Sequence, residues 1–247
     1  MFFGITMLAS VAISMKSVLT ADQVLAKAEA QLKATSIIAE MKVSIQRPKW
    51  TKTMRLKTWG KGTDYALAYI LGPEKDKGTV YLKNATGVYN YLPKINRTIK
   101  LPNALLNQNW MGTDMSTDDI VKLSRLKEDY NAKMMGTKSI LGKSCYWIEL
   151  TPKDEADVLW GKLELFIDKQ DFLQMRAIFY DEDMEAVNQL ETLEVKKIGG
   201  KTVAAKMKMI PSNESGHSTV VEYESIQFNK PISSSFFTKE NMSKVTP

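Results

Sequence analysis

The sequence predicts a mainly β protein: a single curled antiparallel sheet forming an unclosed half-barrel of roughly ten or eleven strands, with an N-terminal helix and short inserted lid helices. Hydrophobic residues recur with a helical period only near the N-terminus, and beyond about Thr35 they alternate. Turn-forming clusters separate the alternating runs at short intervals. So many strands exceed what one small flat sheet carries, so the sheet is expected to curl.

Residues 1–21 read as a secretory signal. Phe2 to Ile13 is mostly apolar and too short to span a bilayer, and Leu19-Thr20-Ala21 is a small-residue cleavage site. No basic residue precedes the apolar run, which a truncated or misassigned start would explain. Residues 22–247 show no linker, low-complexity tract or repeat and are expected to form one domain.

Thr20-Ala21-Asp22-Gln23 fits a capping box, and Val24, Leu25, Ala28 and Leu32 then share one side of a helix running to about Thr35. Half-buried strands follow. Met54 and Leu56 alternate with Arg55 and Lys57, Val80 and Leu82 with Tyr81 and Lys83, and Leu163, Leu165 and Ile167 with Glu164, Phe166 and Asp168. Val203, Ala205, Met207 and Met209 do the same against Lys206 and Lys208. Hairpin turns are expected at Gly60 to Gly62, Asn84 to Gly87, Leu141 to Lys143, Lys169 to Asp171 and Gly199-Gly200, the last supplying positive φ. Helical insertions are expected at Pro102 to Asn107 and Ser116 to Leu126, after the fourth or fifth strand, where they would cap the concave side of the sheet. Ser233 to Thr238, with Phe236-Phe237, reads as a last turn pinning the chain end against the sheet.

Composition narrows the chemistry. The chain is 44% hydrophobic and 25% charged, and its 34 Lys+Arg against 28 Asp+Glu favour anionic partners such as lipid headgroups, acidic proteins or nucleic acid. Cys145 is the single cysteine, so an intramolecular disulfide and a multi-cysteine metal site are excluded, and its strand-like setting reads as a buried thiol. His217 is the single histidine and sits in a turn, where a solvated imidazole is expected rather than the carboxylate-held one of a Ser-His-Asp triad. Asp154-Glu155-Asp157 and Asp181-Glu182-Asp183 read as hairpin tips without the spacing of a calcium loop, and Asp118-Asp119 as a helical first turn. A hydrolase built on Asp114 with Asp118 or Asp119 would lack a second catalytic group. No catalytic residue, metal ligand or cofactor is expected.

Two runs carry apolar groups on both sides. In Asp64 to Leu71, Tyr65, Leu67 and Tyr69 oppose Ala66, Ala68 and Ile70; in Phe172 to Tyr180, Leu173, Met175 and Phe179 oppose Phe172, Ile178 and Tyr180. Both faces of these strands should be covered. The 14 Met residues suit either an irregular core or a cavity lined for alkyl chains. From Arg47 to Lys61 six basic residues (Arg47, Lys49, Lys52, Arg55, Lys57 and Lys61) stand with Trp50, Trp59 and no acid. This is either the solvated face of a strand pair or a docking surface for an anionic membrane or acidic partner; no nucleic-acid motif accompanies it.

The segment Trp110-Met111-Gly112-Thr113-Asp114, with Asp118-Asp119, Leu56 to Gly62, Gly78-Thr79, Tyr91-Leu92-Pro93, Asn96-Arg97 and Phe166-Ile167-Asp168, resembles the bacterial outer-membrane lipoprotein-sorting proteins of the LolA-like superfamily. The resemblance covers most of residues 25–245. It implies an unclosed barrel plugged by helices, with a hydrophobic cavity that shields acyl chains between membranes. One arginine of the family's carrier holds the lid; Arg47, Arg55 and Arg97 are the candidates here. The lipid-binding side chains expected on this reading are Met54, Leu56, Tyr69, Leu82, Trp110, Met111, Leu165, Met175 and Met207, with Trp110 equally suited to anchoring the lid as core. Lys52, Arg55 and Lys57 are expected to dock a partner or membrane. The expected function is that of a monomeric, non-enzymatic periplasmic carrier or chaperone for lipoproteins or other lipids, working between an inner-membrane transporter and an outer-membrane acceptor. The rival is an accessory module of an envelope transporter that carries no lipid itself.

Overall fold

The computed structural model describes residues 19–106, 108–117, 126–156 and 158–247. Residues 1–18 of the expected signal, Asp118, Asp119 and most of the second helical insertion lie outside the described residues. The chain opens with α1 (Ala21–Leu32), whose capping box is formed: Gln23 N donates to Thr20 Oγ1 at 3.2 Å and Thr20 N to Gln23 Oε1 at 2.9 Å. The helix stops at Leu32 instead of about Thr35 because Thr35 N donates to Asn229 Oδ1 at 2.9 Å, drawing the chain into the sheet.

Among the described residues thirteen antiparallel strands follow: β1 (Ser36–Arg47), β2 (Trp50–Lys61), β3 (Tyr65–Gly72), β4 (Val80–Asn84), β5 (Gly87–Leu92), β6 (Arg97–Lys100), β7 (Tyr130–Ile140), β8 (Lys143–Pro152), β9 (Lys162–Asp168), β10 (Gln174–Tyr180), β11 (Ala186–Ile198), β12 (Lys201–Pro211) and β13 (Ser218–Phe228). Their order in the single sheet is β6-β5-β4-β3-β2-β1-β13-β12-β11-β10-β9-β8-β7, with β6 and β7 as unpaired edges, so the sheet is not closed. Two meanders are joined where β1 pairs with β13.

The count exceeds the expected ten or eleven, and the insertion follows the sixth strand instead of the fourth or fifth. β6 is four residues long and exposed throughout, and β7 is mostly exposed, so neither shows the burial alternation that marks a strand in sequence. Short helices α2 (Asn103–Leu106) and α3 (Leu126–Asp129) lie within the insertion, and α4 (Lys239–Met242) lies near the C-terminus. The Gly199-Gly200 turn has φ of 59° and 85°, and a Cβ on Gly199 would stand 2.4 Å from the Ile226 carbonyl oxygen, so only glycine fits.

Cross-strand register assigns the core to two faces. On the first, α1 buries Ala21, Val24 and Leu25 against Ile148, Leu165, Ile167 and Ala177. The same face continues through the pairs Ala177↔Leu190, Leu190↔Met209, Met207↔Val221, Val43↔Val221 and Val43↔Met54. On the second face, Trp59, Leu67, Val80, Leu82 and Tyr89 are covered by the C-terminal segment through Phe237, Met242 and Val245. Phe237 is 1% exposed, and its carbonyl accepts from Asn84 Nδ2 at 3.1 Å, so the chain end is pinned as the sequence implies. A smaller cluster on this face gathers Cys145, Phe166, Leu173, Met175 and Ile178.

The expected sidedness of Phe172 to Tyr180 is corrected here. The register shifts between Gln174 and Arg176, which turns Met175 to the side of Ile178, while Phe179 packs with Phe172 in the α1 cluster. Tyr130, beneath α1, is pushed up to about 12 by burial and then by the charge of Asp129. Its neutral form is favoured in the folded state, so its contribution is fully present below pH 10 and is lost as pH climbs through 12. Alkaline unfolding followed by circular dichroism should be less steep over that window in Tyr130→Phe.

Candidate functional site

The site is built around Arg47, the last residue of β1. It shares the side-chain parity of Val43 and Ile45 and therefore points to the apolar first face. A charge there must find a partner. Arg47 grips Asp114 with both arms, Nη2 to Oδ1 at 2.9 Å and Nη1 to Oδ2 at 3.1 Å, and Nη2 also donates to the Gly112 carbonyl at 2.7 Å. The two side chains are 10% and 4% exposed. Asp114 is closed on its other side by Thr219 of β13, which donates to Oδ2 at 2.7 Å and accepts from Asp114 N at 2.9 Å. Charge-assisted, two-pronged bonding of this kind fixes position and orientation together.

What Arg47 holds is a compact plug, residues 108–117. Its ends meet through the Asn109↔Ser116 bridge, with Trp110 N donating to Met115 O at 2.7 Å. Thr113, fully buried, donates from Oγ1 to the Trp110 carbonyl at 2.7 Å and so tightens the turn. The backbone reverses at Met111 and Gly112, both left-handed with φ of 50° and 84°. This turn delivers Trp110, 2% exposed, onto Val43, Ile45, Met54, Leu56, Ala68 and Ile70, with Met111 and Met115 at the margin. Tyr81 meets the Trp110 ring edge-on at 5.6 Å between centroids, and burial pushes its hydroxyl pKa up.

The structure brings Met54, Leu56, Trp110, Met111, Leu165 and Met207 to the face that carries α1 and the plug. It does not bring Tyr69, Leu82 and Met175 there. Tyr69 and Leu82 pack beneath the C-terminal segment, and Met175 is turned away by the β10 bulge. The two-sided apolar pattern of β3 thus has a second physical cause, the tail that covers it. Over Met54 and Leu56 the space between plug and sheet is occupied by the plug's own side chains.

Among the three candidate arginines, Arg47 holds the plug; Arg55 faces the other way and Arg97 lies on the exposed edge strand. The basic strand pair is also less free than its sequence implies, because the acids come from neighbouring strands and a loop. Arg55 pairs with Glu224 at 2.8 Å, Lys57 with Glu40 at 3.1 Å and Lys52 with Asp76 at 3.0 Å. His217 is paired with Glu214 instead of simply solvated, and ligand atoms of Asp114, Glu214 and His217 lie within 4.8 Å of one another. Both Asp114 oxygens are already committed to Arg47 and Thr219, and the guanidinium charge opposes a cation at that point. Tyr91 and Asn96 shape the β5–β6 turn, the Tyr91 hydroxyl donating to Asn96 Oδ1 at 3.1 Å. Cys145 is fully buried, and desolvation pushes its thiol up, as expected of a structural residue.

A family model described as an uncharacterized protein matches residues 62–244, well over half of the chain. The chain belongs to that family. No curated protein matches it in sequence. Among solved structures, a DUF1329 family protein from Desulfovibrio piger superimposes with a TM-score of 0.82 at 23% identity, over 90% of this chain and 97% of that one. A putative outer membrane lipoprotein-sorting protein domain from Vibrio parahaemolyticus gives 0.79 at 18%, over 90% and 98%. A LolA superfamily protein from Nitrosomonas europaea gives 0.75 at 20%, over 90% and 99%. The fold is therefore LolA-like.

Proposed function

We propose that the protein is a non-enzymatic periplasmic carrier or chaperone that shelters acyl chains of lipoproteins or other lipids on their way to the outer membrane. The observation that carries this reading is the plug: an apolar sheet face closed by a segment that is held by one charged latch, Arg47–Asp114. Cargo would exchange with Trp110, Met111 and Met115 over Met54, Leu56 and Met207, so the face is never left bare to water. Each methylene removed from water is worth about 0.8 kcal/mol, so a few buried turns of alkyl chain compete with the contacts the plug gives up. Methionine, unbranched and polarizable, suits a surface that must fit two different occupants. The LolA-like fold supports the reading, as does the likeness to a domain described as sorting outer-membrane lipoproteins.

Native mass spectrometry after detergent-free purification, followed by delipidation and reloading with a diacylated lipopeptide, tests it. A retained or reloaded amphiphile, competed by Met54→Glu, is the expected result. A protein that neither retains nor accepts amphiphiles would sink the carrier reading.

A further inference from the structure

In this antiparallel meander the connections β1–β2, β3–β4 and β5–β6 fall at the same end of the sheet as β8–β9, β10–β11 and β12–β13. Their charges are sorted. The first three carry Lys49, Lys52, Lys75, Lys77, Lys94 and Arg97 against Glu74 and Asp76, whereas the last three carry Asp154, Glu155, Asp181, Glu182, Asp183, Glu185 and Glu214 against Lys153. On the basic half Lys49, Lys75, Lys94 and Arg97 are exposed and make no ion pair among the described residues. Two of the basic turns also present a large apolar side chain to solvent: Trp50, 50% exposed, follows Lys49, and Ile95, 57% exposed, follows Lys94. Between the β1–β2 and β3–β4 turns lies a cleft of about 470 Å³ lined by Trp50, Thr51, Lys52, Thr53, Pro73 and Lys75.

We propose that this half of the rim, with Trp50 and Ile95 as apolar tips among unpaired lysines, is a docking surface for an anionic lipid bilayer. Trp is favoured at the boundary between headgroups and hydrocarbon, and clustered lysines are attracted to anionic leaflets. The apolar tips stand on separate turns with β3 and β4 between them, a spacing suited to a fluid surface and unlike the contiguous apolar centre of a protein interface. The cleft beside Trp50, with the unpaired Lys75 on its wall and Lys52 held there by Asp76, is placed to receive an acidic headgroup. The acidic half of the rim is repelled by the same surface, so the protein docks tilted, with the β1–β6 side down. Trp50 also lies under the Arg47 guanidinium, 5.8 Å from its ring centre, so docking reaches the residue that holds the plug. The inference deepens the carrier reading by naming the surface at which cargo would transfer.

Co-sedimentation of the full chain with vesicles of phosphatidylglycerol and phosphatidylcholine, against phosphatidylcholine alone, is the test. Binding is expected only to the anionic vesicles, and it should fade at about 0.5 M salt as the charges are screened. Lys75→Glu with Lys94→Glu should lower partitioning by well over tenfold, at about fivefold for each charge removed. Trp50→Ala should remove the blue shift of tryptophan emission that vesicles produce in the parent protein. Both variants alter exposed side chains, and an unchanged melting curve shows that they fold. Equal binding to the two vesicle types, or full binding by the doubly charge-reversed variant, overturns the proposal; so does capture by polyglutamate without vesicle binding, which would assign the surface to an acidic protein. Vesicle binding without amphiphile retention would refute the carrier reading while leaving this surface in place.

Discussion

Replacing Arg47 by Leu should lower the stability of the plugged state by about 3–5 kcal/mol, the range found when one partner of a buried ion pair is removed. The cost arises from what is left behind. Among the described residues Asp114 keeps only Thr219 as a side-chain partner, and the Gly112 carbonyl loses its donor, both in a place that water reaches poorly. Arg47→Lys should fall between, since an ammonium replaces the two-pronged grip with one point contact. Removing both charges in Arg47→Leu with Asp114→Leu should cost much less than the sum of the single changes, and the double-mutant cycle isolates the latch. Hydrogen exchange localises the effect: the Trp110 and Asp114 amides, bonded to Met115 O and Thr219 Oγ1, should exchange faster in Arg47→Leu, while amides along β1 and β2 stay protected. Uniform loss of protection across the sheet would show that Arg47 holds the whole fold and is no latch.

Legibility in sequence followed a single physical condition. Strands with one wet and one buried face, such as β12 and the Met54 to Lys57 stretch of β2, declare themselves by alternation, and the capping box and Gly-Gly turn declare themselves by the backbone geometry that their residues serve. β6 fails that condition because among the described residues nothing covers either side of it, and the bulge in β10 fails it because a register shift leaves no mark on composition. The apolar doubling of β3 was visible, but its cause was not: Phe237 lies far along the chain, and periodicity carries no information about which segment returns to cover a face. The same holds for the acids that neutralise Arg55 and Lys57, which come from β13 and β1. The latch joins residues 67 positions apart, so no local pattern records it. One signal was available. Arg47 continues the Val43, Ile45 parity, and a charge on an apolar face requires a buried counterion, for which Asp114 in the Trp-Met-Gly-Thr-Asp segment was the natural candidate.

Trp110→Ala separates the two roles open to that side chain. As ordinary core it would cost about 3–5 kcal/mol in global unfolding, through lost burial and an unfilled space. As the removable part of a plug it should cost little in the denaturant midpoint of the sheet, because β1 to β4 remain paired and the C-terminal segment still covers their other face. The space vacated over Met54, Leu56 and Ile70 is lined by apolar side chains, and a dry cavity of that kind takes up apolar guests. Trp110→Ala is therefore expected to bind an environment-sensitive alkyl probe more tightly than the parent, with competition by a diacylated lipopeptide, while far-UV circular dichroism and the urea midpoint shift only slightly. Pairing it with Arg47→Leu should add little to probe uptake, since either change frees the same face, and this non-additivity marks latch and plug as one device. A full loss of global stability with no gain in probe binding would instead make Trp110 a structural core residue and leave Met111 and Met115 without a plug to belong to.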